Sequence, residues 1–321
     1  MIDAAIVGLG RWGRTLVEAV QGRSDKIRFT RAVSRDPARH RDFIGKHGLA
    51  AGDFASALTD PDIAAMVLAT PHTQHVEQVV AAAAAGKAVF CEKPLALTKA
   101  EALRAAAACR DAGIVLGIGT DKRHFPAIAE AIRLAGSGEL GPVLHVEGNF
   151  SNEVAASFAA WRESFEETPA GGMTGTGIHV LDAMMAVAGP VRRLHAQLLS
   201  QKPGPDPHDT IAILLEFASG IGGTLAAVRS TPTFLRVHVF GRHGSAEAVS
   251  RTELIVRKSG AEPQHRRFPA NDSVRINLDS FADAVAGVAP YPIPPDHIVA
   301  VTAAFAAIAD AVRTGVVTQE V

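Results

Sequence analysis

Ala5-Ile6-Val7-Gly8-Leu9-Gly10-Arg11-Trp12-Gly13 decides the reading of this chain. A short apolar run passes straight into a GxGxxG turn, and Trp12, Leu16 and Val20 then recur at four-residue spacing. Strand, glycine turn and amphipathic helix in that order are the fingerprint of a dinucleotide-binding βαβ unit. Gly8 permits the tight turn, Gly10 lets the backbone approach a pyrophosphate, and Gly13 lets helix and strand pack closely. The phosphates would rest on N–H groups at the helix N-terminus, with Arg11 and Trp12 in the same turn.

Bulk properties agree with a folded enzyme-sized chain. Its 321 residues suggest two domains. Hydrophobic residues at 47% and charged residues at 20% supply a sizeable core and argue against disorder. The formal net charge of −1 comes without a basic patch, so nucleic acid is not expected as a partner. The longest apolar run, near Val79–Ala85, is too short to span a bilayer, and no membrane partner is expected. The first strand begins at once, without the charged segment and cleavage site of a signal peptide. Cys91 and Cys109, the only cysteines, imply no disulfide framework. These features together predict a cytoplasmic location.

Outward from the glycine turn, strands and helices alternate. Strands are predicted over Ile27–Val33, Ile63–Ala69, Ala88–Cys91 and Ile114–Ile118. Asp36-Pro37 reads as a helix cap followed by Pro at the first helical position. A helix over Gln74–Ala85 can end at Gly86, and Thr98 with Glu101 forms a capping box for a helix reaching Ala112. This rhythm predicts a Rossmann-type parallel sheet over residues 1–120. Beyond it comes one helix, Ala127–Ala135, then strands at Val143–Phe150, Arg193–Leu199, Thr210–Phe217, Gly222–Arg229, Leu235–Phe240 and Glu253–Lys258. Helices near Leu278–Val288 and His297–Thr314 close the chain. Residues 121–321 therefore read as an α+β domain with a mostly antiparallel open sheet, and the whole as α/β. The apolar faces of the late strands suggest a homo-oligomer, a dimer or tetramer.

The second strand ends in Val33-Ser34-Arg35, where NAD sites usually carry a ribose-binding carboxylate. A hydroxyl and a guanidinium suit a 2′-phosphate instead, with Arg39 one turn further on. NADP(H) is favoured, and NAD(H) stays open.

Two loops leave the C-terminal edge of the sheet, where such folds bind ligands. Thr70-Pro71-His72-Thr73-Gln74-His75 follows the third strand, and Cys91-Glu92-Lys93-Pro94 the fourth. Lys93, an ammonium beside a carboxylate just past a strand, can polarise a carbonyl or pass a proton from a hydroxyl. His72 and His75 have no third ligand at suitable spacing, so no metal site is read there; Pro71 and His75 shape the loop that lines the nicotinamide.

With these pieces and Gly119-Thr-Asp-Lys-Arg123, Gly138-Glu-Leu-Gly141, Gly171-Gly172-Met-Thr-Gly-Thr-Gly177-Ile-His179-Val-Leu-Asp182 and Phe240-Gly-Arg-His-Gly244-Ser, the chain resembles the Gfo/Idh/MocA family over nearly its whole length. The resemblance implies a Rossmann domain, an α/β domain whose open sheet serves as an oligomer interface, and a nicotinamide dinucleotide. It also implies hydride transfer on sugars, cyclitols or related hydroxy or carbonyl compounds, and a cis peptide before Pro94. It gives Lys93 the role of catalytic lysine and His179 that of catalytic or substrate-orienting histidine. Thr70, Pro71, His72, His75 and Glu92 fall beside the cofactor. Asp182, three residues past His179 on a predicted Thr176–Val187 helix, reads as a structural partner.

One position departs. Polyol dehydrogenases of the family usually carry Asp four residues before the histidine, and here that position is Gly175. Asp121 is the nearest candidate in sequence to replace it. Trp161 and Arg162 fall in a segment that often lies over the substrate cleft, where Trp161 can shield the site and Arg162 or Arg123 can meet an anion or hydroxyls. The departure leaves two further readings: a non-catalytic NAD(P)-binding regulator, and redox chemistry on a non-sugar such as an imine or a dihydrodiol.

Overall fold

The computed structural model describes residues 1–152, 164, 166–199, 210–229, 231–315 and 318–321. In chain order, β1 (Ile2–Val7) leads to α1 (Arg11–Val20), β2 (Ile27–Val33), α2 (Arg41–Lys46), β3 (Ala50–Gly52), α3 (Phe54–Thr59), β4 (Ala65–Leu68), α4 (His75–Ala84), β5 (Ala88–Cys91), α5 (Lys99–Asp111) and β6 (Leu116–Ile118). Next come α6 (Pro126–Gly136), β7 (Val143–Ser151), α7 (Ile178–Ala188), β8 (Val191–Leu199), β9 (Thr210–Phe217), β10 (Gly222–Ala227), β11 (Phe234–Gly241), β12 (Gly244–Ala248), β13 (Glu253–Lys258) and β14 (Gln264–Arg267). The last elements are α8 (Ser273–Val285), α9 (Pro295–Thr314) and β15 (Thr318–Glu320).

These elements form two compact units: residues 1–119 with 272–299, and residues 120–271 with 300–321. The sequence reading divides the chain once, near residue 120. The chain instead comes back to the first unit, because α8 completes that unit's core. Leu278, Phe281 and Ala282 are buried there beside Phe29 and Phe90. The Phe281 ring meets Phe90 edge-on at 5.5 Å, and a Cβ on Gly117 would lie 2.8 Å from it. Lys26 Nζ also reaches Asp283 at 2.6 Å, but that lysine is 42% exposed and solvent screens such a pair strongly. Burying one phenylalanine contributes about 1.5–3 kcal/mol, so apolar contact holds α8 in place.

The first unit's sheet runs β3-β2-β1-β4-β5-β6, every pair parallel. All residues of β4 and β5 are buried, as strands covered by helices on both faces must be. The order reverses between β1 and β4, and this switch opens a crevice at their C-terminal ends. Local signals act as read. The Thr98 hydroxyl accepts the Glu101 N–H at 3.2 Å to start α5, and Gly86 takes φ +68° just past α4. Asp36 caps a 3-10 turn, Ala38–His40, ahead of α2. β3 and α3 carry no signal in the sequence reading, because three and six residues are too few to show a periodicity.

The second unit's sheet runs β14-β13-β12-β11-β7-β10-β9-β8-β15, antiparallel except where β10 joins β7. Alternation sets its two faces. On β9, Ile211, Ile213, Leu215 and Phe217 are buried while Ala212 and Leu214 point out. The outward face carries Leu199, Leu214 and Phe234, exposed by 46%, 52% and 48%. α6 and α7 pack against the sheet.

Candidate active site

The glycine turn behaves as two different kinds of glycine. Gly8, at φ +96°, could carry a Cβ only 2.6 Å from the Ala69 carbonyl oxygen, and a Cβ on Gly13 would collide with the Gly8 carbonyl. The protein's own packing therefore demands both. A Cβ on Gly10 would meet nothing within 4 Å. Gly10 caps α1 with no side-chain hydrogen bond, and the first turn of α1 holds no acid. A helix N-terminus whose cap residue is a glycine, with open space over that glycine, is a cradle that fits a pyrophosphate. Arg11 is exposed and Trp12 half-buried in this turn.

At the end of β2, Ser34 is half-buried while Arg35 and Arg39 are exposed. Asp36, the first carboxylate past the strand, is occupied: its Oδ1 accepts the Arg39 N–H at 3.3 Å. The sequence reading missed Arg14, whose guanidinium lies 2.9 Å from His40 Nδ1. Burial first, then the charges of Arg14 and Arg39, lowers the His40 pKa below the ordinary histidine value. This end of the crevice is rich in cationic groups.

The loops after β4 and β5 are tied together. His75 is fully buried, with Nδ1 at 2.8 Å from the Pro94 carbonyl and Nε2 at 3.1 Å from the Thr70 carbonyl. It thus joins the two loops, in keeping with the reading that it shapes the loop lining the nicotinamide. His72 is buried beside it, ring edge to ring face at 5.6 Å. Pro71 opens the 3-10 turn His72–Gln74, and the Thr70 hydroxyl donates to Gln78 Oε1 at 2.6 Å. The Lys93–Pro94 peptide is cis. Glu92 is buried, its Oε2 accepts the Lys93 N–H at 3.3 Å, and its carboxylate fills the place of a side chain at Gly119. Lys93 is half-buried on this fixed loop. Burial, then the Glu92 charge, pushes the Cys91 thiol well above the usual range, so it is no nucleophile.

In the second unit, Met173–Gly177 forms a π-helical turn that runs into α7. The sequence reading has a plain helix there; the wide turn arises where small residues let neighbours in close. At Gly172 a Cβ would lie 2.9 Å from the Ala227 Cβ, and at Gly175 2.7 Å from Arg229 Nη1. The Arg229 guanidinium, buried at 7% exposure, thus stands where a side chain at position 175 would be. Arg229 was missed because it lies far along the chain; a lone bridge to Asn152 brings it in.

His179 is buried in the first turn of α7, with the Phe150 ring 6.4 Å away. Asp121 enters from the 3-10 turn Asp121–His124. Its Oδ1 lies 3.8 Å from His179 Nδ1, and its Oδ2 accepts from Lys122 Nζ at 2.8 Å. Arg123 grips Asp182 in a two-point fork, Nε to Oδ2 at 2.7 Å and Nη2 to Oδ1 at 2.6 Å. Asp182 is therefore the structural partner expected, and Arg123, read as a substrate contact, has its fork engaged by the protein itself. Trp161 and Arg162 lie outside the described residues.

The family model for oxidoreductases with an NAD-binding Rossmann fold, GFO_IDH_MocA, matches residues 2–120. The model for the GFO/IDH/MocA C-terminal domain matches residues 128–247. Trans-1,2-dihydrobenzene-1,2-diol dehydrogenase of Sus scrofa is 30% identical over 245 residues, 74% of this chain and 70% of that protein. The scyllo-inositol 2-dehydrogenase (NAD(+)) of Bacillus subtilis (strain 168) is 29% identical over 262 residues, 76% of this chain and 72% of that protein. A solved structure of levoglucosan dehydrogenase in complex with NADH and levoglucosan matches at a TM-score of 0.88 and 23% identity, covering 100% of this chain and 99% of that one.

Proposed function

The chain belongs to the Gfo/Idh/MocA oxidoreductase family, and from that premise we propose that it moves a hydride between NADP(H) and a hydroxyl or carbonyl carbon of a small sugar, cyclitol or dihydrodiol. The observation that carries this reading is a glycine turn with open space at its middle glycine, on the same sheet edge as the fixed Lys93 loop. Gly8, Gly10 and Gly13 with the start of α1 would hold the pyrophosphate, and Thr70, Pro71, His72 and Glu92 would line the nicotinamide end. When bound, the nicotinamide supplies or accepts the hydride. Lys93 Nζ takes the hydroxyl proton in oxidation and returns it in reduction. For His179, in the second unit, the role follows from the family resemblance: a histidine that orients substrate. The relatives are named for dihydrodiol and inositol oxidation, which supports a hydroxylated small molecule as substrate. The test is a panel of aldoses, polyols, cyclitols and dihydrodiols with NADP⁺ and NAD⁺, read by nicotinamide absorbance. No turnover on any member would leave only a nucleotide-binding regulator.

Ser34 with exposed Arg35 and Arg39, and the use of Asp36 as a cap, support NADP(H) over NAD(H). NADP⁺ is expected to raise the melting temperature more than NAD⁺ at equal concentration. Arg35→Ala should weaken NADP⁺ about tenfold and NAD⁺ less than about twofold. Greater stabilisation by NAD⁺ would reverse the assignment.

The exposed Leu199, Leu214 and Phe234 on the outward face of the second unit's sheet support a homo-oligomer, dimer or tetramer, joined through them. Sedimentation velocity should give a multiple of the 33.6 kDa chain mass, and a monomer would overturn this. Two buried free thiols fit the reducing cytoplasm, the location proposed.

A further inference from the structure

Position 175 is one helical turn before His179, and it offers no side chain. The space there is taken by the Arg229 guanidinium. Among the described contacts, Asp121 of the 3-10 turn after β6 lies against His179, Lys122 is paired with Asp121, Arg123 of the same turn is forked onto Asp182, and Arg229 lies beside the π-helical turn. β7 presents the Phe150 ring. Asp182 is held by Arg123, while Asp121 Oδ1 lies 3.8 Å from His179 Nδ1.

We propose that Asp121 is the positioning residue of His179: its Oδ1 sets the imidazole through Nδ1 and balances the proton that His179 carries, while Lys122 fixes the other oxygen. The proposal rests on the oxidoreductase reading for its consequence in turnover, but not for its geometry. Asp121 is 3% and His179 5% exposed at the side chain, so solvent screens their interaction little. Lys122 Nζ engages Oδ2 at 2.8 Å, and Oδ1 then lies 3.8 Å from His179 Nδ1, a charge contact longer than a hydrogen bond. The carboxylate that serves the histidine thus reaches it from a separate loop rather than from the helix turn that carries the histidine. Lys122 stands beside this pair, so without the Asp121 carboxylate His179 would take up a proton next to that ammonium.

The experiment titrates the His179 ring by NMR in the whole labelled enzyme and measures turnover in parallel. In Asp121→Asn the proton affinity of His179 should fall about tenfold, and Lys122→Met, which removes the ammonium that offsets the Asp121 charge, should raise it. kcat of Asp121→Asn should fall about 10–100-fold with the cofactor KM unchanged, the acid limb of the kcat profile should move to lower pH, and Asp121→Glu should recover part of the loss. Lys122→Met gives the answer if Asp121→Asn does not fold. A His179 titration unmoved in the variants overturns the proposal, whatever the turnover. A shifted titration in an enzyme silent on every substrate upholds it and removes the oxidoreductase reading instead.

Discussion

Lys93→Met lowers kcat by about three orders of magnitude and leaves cofactor affinity within about threefold. Methionine keeps most of the stem and removes the ammonium, so the loss reports on the proton and not on packing. The expectation follows from how firmly the loop is held. The Lys93 N–H donates to Glu92 Oε2, the Glu92 carboxylate fills the space at Gly119, and His75 ties the Pro94 carbonyl to the Thr70 loop. Three fixed neighbours around one half-buried lysine are an arrangement that positions a proton-transfer group. Single-turnover kinetics with the best substrate of the panel, beside fluorescence titration of the reduced cofactor, makes the measurement. Turnover within a few-fold of the parent would remove Lys93 from the chemistry, and a matching loss of cofactor affinity would make it a binding residue only.

The second large effect is on stability. Asp182→Asn should destabilise the protein by about 3–5 kcal/mol, because it leaves the Arg123 guanidinium buried without its counter-charge. The side chains are 12% and 1% exposed, and the fork is short at both points. In calorimetry this should lower the first transition by about 10 °C. Arg123→Met combined with Asp182→Leu should recover most of that loss, since an apolar pair of similar volume strands no charge. If Asp182→Asn melts within about 1 °C of the parent, the fork contributes little. Because Asp182 lies on α7 three residues past His179, the single variant should also lose activity, and the double variant separates the two effects.

Much of this site was legible in the residue order. The Gly8–Gly13 turn, the Thr98–Glu101 cap and the strands at 27–33, 88–91, 210–217 and 253–258 come out with the bounds the patterning gives them. These depend on local chemistry: a glycine where a Cβ collides, a hydroxyl where an N–H needs an acceptor, alternation where one face is buried. What was not legible depends on distant residues meeting. Arg229 sits against Gly175 only because β10 ends beside the π-helical turn. Glu92 against Gly119, and His75 between two loops, need the sheet to be built first. Arg123 looked like a substrate contact because its fork to Asp182 spans 59 positions that no periodicity connects. The place of α8 was hidden for the same reason.

That last feature bears on how the protein is made. The first unit owns residues 1–119 and then 272–299, so its hydrophobic core stays open while the ribosome translates the intervening second unit. Until Phe281 emerges, Phe90 lacks its ring partner and Gly117 faces a gap. A nascent chain must therefore carry an unfinished nucleotide-binding unit through most of its synthesis, a long window for chaperone capture. A fragment cut at residue 120 would keep the whole glycine fingerprint and still expose a raw apolar face.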